Sequence, residues 1–125
     1  MTRDAAREER ARGSSTSCAA PSAGSLQVSP LPDRPGWRAI GEVNLLTLPA
    51  WERTLRHVSL CEEKVCHLEL SAVTFVDVGG VSALAVAAQN LPTGNRIALH
   101  RPPTEVPRLL AMFWPDLPSL DVVTR

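Results

Sequence analysis

From Leu26 onward the apolar residues switch back and forth between a two-residue repeat and a three-to-four-residue repeat, and that alternation leaves few folds open. Leu26 and Val28 alternate with Gln27 and Ser29, a short strand that stops at Pro30. Pro32-Asp33-Arg34-Pro35-Gly36 is dense turn chemistry, and Trp37 to Val43 reads as a second strand, paired with the first as a hairpin. Thr47 is the expected N-cap of a helix with Pro49 in its first turn, where a missing N–H costs little. Leu48, Trp51, Leu55 and Val58 share one face of that helix, and Trp51 is read as core. A third strand is expected over Lys64 to Leu70, with Cys66, Leu68 and Leu70 on one face and Ser71 to Asp77 leading out of it. Gly79-Gly80 opens a small-residue helix running to about Asn90, striped by Val81, Leu84, Ala88 and Leu91. Arg96 to His100 reads as a fourth strand. Thr104 is placed to cap a helix from about Glu105 to Phe113, Pro115 stops it, and Leu120 to Val123 adds an edge strand.

The order is β-β-α-β-α-β-α-β, which predicts an α/β domain with a mixed, mostly parallel sheet of four to five strands and right-handed crossovers. The chain's 125 residues fit one such domain over residues 25–125. Residues 1–24, rich in Arg, Glu, Ala and Ser and without apolar periodicity, are expected to form a disordered tail. That stretch has no apolar segment of the signal-peptide kind, and no apolar run approaches the roughly 20 residues that cross a bilayer. The expected location is the cytoplasm, with no membrane insertion. Thirteen Lys and Arg balance thirteen Asp and Glu, which argues against a generic nucleic-acid binder. Pro, Arg and Ala enrichment points to a GC-rich bacterial source.

Cys18, Cys61 and Cys66 are too few and too irregularly spaced for a disulfide framework. Cys66 and His67 are neighbours on a strand and face opposite ways, so they are not expected to share a metal ion. His57, His67 and His100 are scattered, and no nucleophile–base pair is legible, so no catalytic residue and no cofactor is expected. Phe113 and Trp114 are read as core; exposed, they would mark a second interface.

The most informative segment is Phe75-Val76-Asp77-Val78-Gly79-Gly80-Val81-Ser82, a strand-to-helix junction. A helix N-terminus presents free N–H groups at its positive end and can hold an anion. This junction lacks the endings of a P-loop or a dinucleotide fingerprint, and Asp77 would repel an anion. The residues read better as Asp77 capping the helix, with the glycines allowing a tight turn and close packing.

Leu68-Glu69-Leu70-Ser71-Ala72-Val73-Thr74-Phe75-Val76-Asp77 resembles the "Leu-Asp-Leu-Ser, then Val-x-Phe-Ile-Asp" stretch of STAS domains, found in anti-sigma-factor antagonists and in the tails of anion transporters. Gly41-Glu42-Val43-Asn44-Leu45-Leu46-Thr47 resembles the family's "Gly-Glu-Leu-Asp" segment ahead of its first helix, and Ile97 to Val106 its "Leu-x-Leu, then Pro-x-x-Val" stretch. The resemblance covers about Leu26 to Val123. It implies a protein-interaction module of transcription regulation and stress signalling, bound to an anti-sigma factor or a serine-kinase-like regulator.

In the antagonists two serines and a glycine follow the aspartate, and the second serine is phosphorylated by the partner kinase. Here Asp77 and Gly80 match, but Val78 and Gly79 replace the serines, so no phosphorylation is expected at Gly79. Asn44 stands where the family usually has aspartate, and Glu69 where it often has another. Ser82, near one turn further on, is read as a structural helix serine, and Ser71 and Thr74 lie on the wrong side of Asp77. The resemblance places the partner-binding surface at Asp77, Val78, Gly79, Gly80, Val81 and Ser82, with Asn44 and Thr47 beside it. A small-ligand or anion sensor using the helix N-terminus at Gly79-Gly80 is the alternative.

Overall fold

The computed structural model describes residues 25–124, so the expected tail over residues 1–24 and its Cys18 lie outside the described residues. Eight elements follow one another: β1 (Leu26–Pro30), β2 (Gly36–Val43), α1 (Leu48–Ser59), β3 (Val65–Val76), α2 (Val78–Gln89), β4 (Arg96–His100), α3 (Glu105–Phe113) and β5 (Leu120–Val123). The strands form one five-stranded sheet in the order β1-β2-β3-β4-β5. The opening hairpin is antiparallel and the other three pairings are parallel, which is the expected mixed sheet.

At the hairpin turn, Gly36 has a φ of 147°, and a Cβ there would lie 1.9 Å from the carbonyl oxygen of His67. Only glycine lets the chain enter β2 so close to β3. Each parallel crossover runs the same way along the sheet, which places the helices on one face. Trp51, Leu55 and Val58 of α1, Val81, Leu84, Ala85 and Ala88 of α2, and Val106 and Leu110 of α3 join Cys66, Leu68, Leu70, Ile97 and Leu99 in one core. Burying each of the larger side chains contributes about 1.5–3 kcal/mol against the entropy of ordering the chain. His67, Glu69 and His100 alternate with those core residues and lie on the opposite face.

β3 is longer than its sequence pattern indicates. It was expected to end at Leu70 and instead runs to Val76 beside β2. The pairing steps from Arg38↔Glu69 to Ile40↔Ala72, and again from Gly41↔Val73 to Glu42↔Phe75. Each step inserts one extra residue into β3, a β-bulge, and each bulge reverses which residues face inward. The buried positions therefore run Cys66, Leu68, Leu70, then Val73, then Val76. The two-residue repeat is broken twice although the strand continues.

Two expected caps are also corrected. Thr47 and Thr104 stand at the N-cap positions of α1 and α3, but neither makes a side-chain cap hydrogen bond. Both already have helical backbone angles, whereas a capping side chain folds back from an extended backbone. At the other end of α3, Phe113 is 56% exposed, not core. Trp114, turning out of the helix, takes the place against the core, and the Phe113 ring meets it edge-on at 5.9 Å.

Candidate functional site

The site lies where β2 and β3, side by side in the sheet, end and hand over to α1 and α2. The Asp77 N–H donates to the Val43 carbonyl at 3.0 Å, fastening the two strand ends together. Asp77 has an extended backbone (φ −80°, ψ 176°), and its Oδ1 accepts from the Gly80 N–H at 2.8 Å. The expected cap of α2 is therefore present. It places a carboxylate where a bound anion would sit and consumes one of the donors an anion would need.

The two glycines of this turn do different work. A Cβ on Gly80 would lie 2.6 Å from Val43 Cγ1 and 2.8 Å from Val76 Cγ1, so position 80 is closed to any side chain. The Gly80 carbonyl also accepts from Trp51 Nε1 at 3.0 Å, which ties α1 to the start of α2 through a buried indole. Gly79 is exposed, and a Cβ there would meet only Asp77 Oδ1, at an ordinary 3.5 Å. Space and backbone at position 79 would both accept serine.

The β2–α1 turn is built by Asn44 and Thr47 acting together. Asn44 Oδ1 accepts from the Leu46 and Thr47 N–H groups at 2.9 and 3.1 Å, and its Nδ2 donates to Glu42 Oε1 at 2.8 Å. The Thr47 hydroxyl accepts from the Asn44 N–H at 2.9 Å and donates to the Glu42 carbonyl at 2.8 Å. Asn44 thus supplies the side-chain acceptor just ahead of α1 that Thr47 was expected to provide, and Thr47 is spent on shaping the turn.

Of the residues named from the sequence, Val78 and Gly79 are exposed, and Asn44, Asp77 and Ser82 are half-buried. Thr47, Gly80 and Val81 are buried and shape the surface from beneath. Sequence reasoning missed the most prominent part of this surface. Leu45 and Leu46, which were not named, are 81% and 78% exposed, whereas Val78, which was, is 56% exposed. They crown two turns that leave the same end of the sheet. The signal was available: Leu45-Leu46 is an apolar pair ahead of the helix and outside its apolar stripe.

An open groove of about 510 Å³ runs from Gly79 between α1 and α2. Leu55, Ala83, Val86 and Ala87 give it apolar walls, and Glu52, Arg56, Ser59, Ser82 and Asn90 line it with polar groups. The alanines and Gly79 keep α2 thin on this side, which is what opens the groove.

A second group of polar residues lies on the helix-free face of the sheet. His67 and His100, read as scattered, are brought together by the parallel pairing of β3 and β4, with His67 Nδ1 2.8 Å from His100 Nε2. Glu69 is buried, 3.0 Å from Arg101 Nη2 and 3.7 Å from Arg34 Nη2. Burial alone would raise its pKa, but hydrogen bonds from Ser71 and Arg101 and the Arg101 charge outweigh burial and lower it. Both imidazoles are pushed below the ordinary histidine value, first by burial and then by the positive charge of Arg34. His57 is elsewhere, its ring 5.4 Å from that of Trp37. Among the described residues, no cluster of three or more His, Cys, Asp or Glu side chains is placed to hold a metal ion, and no helix is long and apolar enough to cross a membrane.

No protein-family model matches this chain, and none of the curated proteins compared with it matches. Among solved structures, the chain is similar to an anti-sigma factor antagonist from Mycobacterium paratuberculosis, with a TM-score of 0.68 and 18% sequence identity over 85% of this chain and 92% of that one. At that identity the likeness establishes a shared fold, and it spans nearly the whole of the other protein.

Proposed function

We propose that this chain is a non-catalytic interaction module of bacterial transcription regulation, working in the cytoplasm. It binds an anti-sigma factor or a serine-kinase-like regulator through the strand-end surface and is not switched by phosphorylation at position 79. One observation carries the reading. The turn from Asp77 to Gly80 keeps its cap and its close packing, yet its exposed position 79 is a glycine without a hydroxyl, next in the chain to exposed Val78 and at the same end of the sheet as exposed Leu45 and Leu46. Exposed apolar side chains around a rigid turn are what a protein partner can desolvate. A phosphoryl group would bring about −1.5 to −2 charges into such an interface and break it by repulsion. Gly79 cannot receive one, so binding is constitutive.

The test is capture from a lysate of the source cell with full-length wild type, Gly79→Asp and Leu46→Asp as baits. The expected outcome is recovery of a kinase-like anti-sigma factor by wild type and at least about tenfold less by either variant, the effect of a charge placed in a buried contact. With ATP present, capture by wild type is unchanged, while Gly79→Ser becomes labelled and releases its partner. Labelling of the wild-type Asp77–Ser82 segment by the captured kinase would overturn the reading. An anion sensor at Gly79-Gly80 is the competing reading, and a melting temperature raised by millimolar phosphate or nucleotide would favour it.

A further inference from the structure

The β1–β2 turn lies at the opposite end of β2 from the interaction surface, and two backbone bonds hold it. The Leu31 N–H donates to the Gly36 carbonyl at 3.0 Å, and the His67 N–H donates to the Pro35 carbonyl at 2.9 Å. One side chain of the turn, Arg34, reaches β3, its Nη2 3.7 Å from Glu69 Oε1. That is an ion-pair contact, too long for a hydrogen bond. Arg34 Nε is buried and has no hydrogen-bond partner among the described residues. Arg101 holds the other Glu69 oxygen more closely, at 3.0 Å. Glu69 is in register with His100, whose Nε2 lies 2.8 Å from His67 Nδ1. A bond between two imidazole nitrogens needs a proton on one and a lone pair on the other. Two neutral rings meet that need, and so does one neutral ring beside a charged one. Two charged rings do not, because both facing nitrogens then carry protons.

We propose that the His67–His100 pair is an acid-released latch on the β1–β2 turn, closed while at least one ring is neutral and open when both are charged. With both rings charged, His67, His100, Arg34 and Arg101 are cations around Glu69, and the turn supplies one further carboxylate, Asp33. The rest of that face adds little to offset them. Arg38 of β2, in register with Glu69, is exposed and is another cation. Asp121 of β5 is already joined to Arg96, and the helices pack on the other face. Glu69 keeps Arg101, to which it is hydrogen-bonded, so the excess charge falls on Arg34, which is held by charge alone. Its departure lifts the turn and frees the Leu31 and His67 N–H groups. Burial and then the Arg34 charge hold both imidazoles below the ordinary histidine value of 6.5, and the His67 charge adds to this at His100. Asp33 at His67 and Glu69 at His100 pull the other way without reversing it. The closed turn is therefore the neutral-pH form, and release comes with acidification. Opening lets the pair take up its second proton, so the opening equilibrium rises by up to about tenfold for each pH unit lost.

The experiment is amide hydrogen exchange of the full-length protein, read residue by residue by NMR from about pH 8 to about pH 5 and corrected for the intrinsic pH dependence of exchange. The ring signals of His67 and His100 are followed in the same samples. As the two rings titrate, the Leu31 and His67 amides are expected to lose protection by up to about tenfold per pH unit, while the Leu68 and Leu99 amides inside the sheet remain better protected at every pH. In His67→Gln the side-chain amide still pairs with His100 and takes up no proton, so the pH dependence at Leu31 is expected to flatten. Wild-type protection at Leu31 and His67 that does not change with pH would overturn the latch. Equal protection at all four amides would do the same, because the turn would then open only with the whole fold. An equally steep loss at Leu31 in His67→Gln would remove the histidine pair as the cause.

Discussion

Gly79 and Gly80 are adjacent, identical in sequence terms and opposite in what they tolerate. Gly80 has Val43 and Val76 against it, so Gly80→Ala forces side chains or backbone apart and is expected to cost about 1–3 kcal/mol. Gly79 faces solvent with helical space around it, so Gly79→Ala is expected to stabilise by about 0.4–1 kcal/mol through the unfolded chain. Urea unfolding of the two variants against wild type measures both, and equal effects would sink the distinction. The sequence showed the glycine pair and the Asp77 cap, because a capping residue and a breaker carry their chemistry in their identity. It did not show which glycine was obligatory. That depends on Val43, which is distant in the chain and adjacent only because β2 and β3 pair.

The elements were legible wherever one periodicity ran unbroken: α2, β4 and α3 lie within a residue of their expected limits, and α1 starts directly after Thr47, the expected N-cap position. β3 was cut short because its two bulges reverse the inward face, and a reader counting by twos takes the first reversal for the strand's end. The threonine caps failed for a related reason. Residue type gives the capacity to cap, while backbone angle decides its use. Removing each hydroxyl should expose the difference. Thr47→Ala deletes two well-formed hydrogen bonds inside the β2–α1 turn and is expected to cost about 1–3 kcal/mol. Thr104 is exposed and makes no cap bond, so Thr104→Ala is expected to stay within about 0.5 kcal/mol of wild type. Thermal or denaturant unfolding reads both, and a Thr104→Ala cost equal to that of Thr47→Ala would show a cap at α3 after all.

On the scale of the molecule, the sheet has a helical face and a polar one, and the polar one makes stability depend on pH. His67 and His100 titrate below the ordinary value of 6.5 in the fold because burial and Arg34 disfavour their charged forms, with the His67 charge and then Arg101 adding to this at His100. Asp33 at His67 and Glu69 at His100 oppose the shift without reversing it. The unfolded chain therefore takes up protons first. The stabilisation is complete above 6.5 and is lost as pH falls through the lowered folded values. Glu69, lowered from 4.5, adds a second loss as pH falls through its own folded value. Denaturant midpoints are expected to be level from pH 8 to about 7 and to drop by pH 5. His100→Gln is expected to flatten the upper part of that drop, and an unchanged profile in this variant would remove the histidine pair as its cause.

The spatial order of the strands is the order in which a ribosome would deliver them. No strand has to be threaded between two already seated, so after the opening hairpin the sheet can grow by annexing one new strand with its helix at a single advancing margin. The strand-end surface belongs to β2 and β3, early arrivals in that sequence, and β5 is the last to be laid. The turn that follows β3 is therefore finished before the sheet is, and the wear of partial unfolding should fall on the margin farthest along the chain from it.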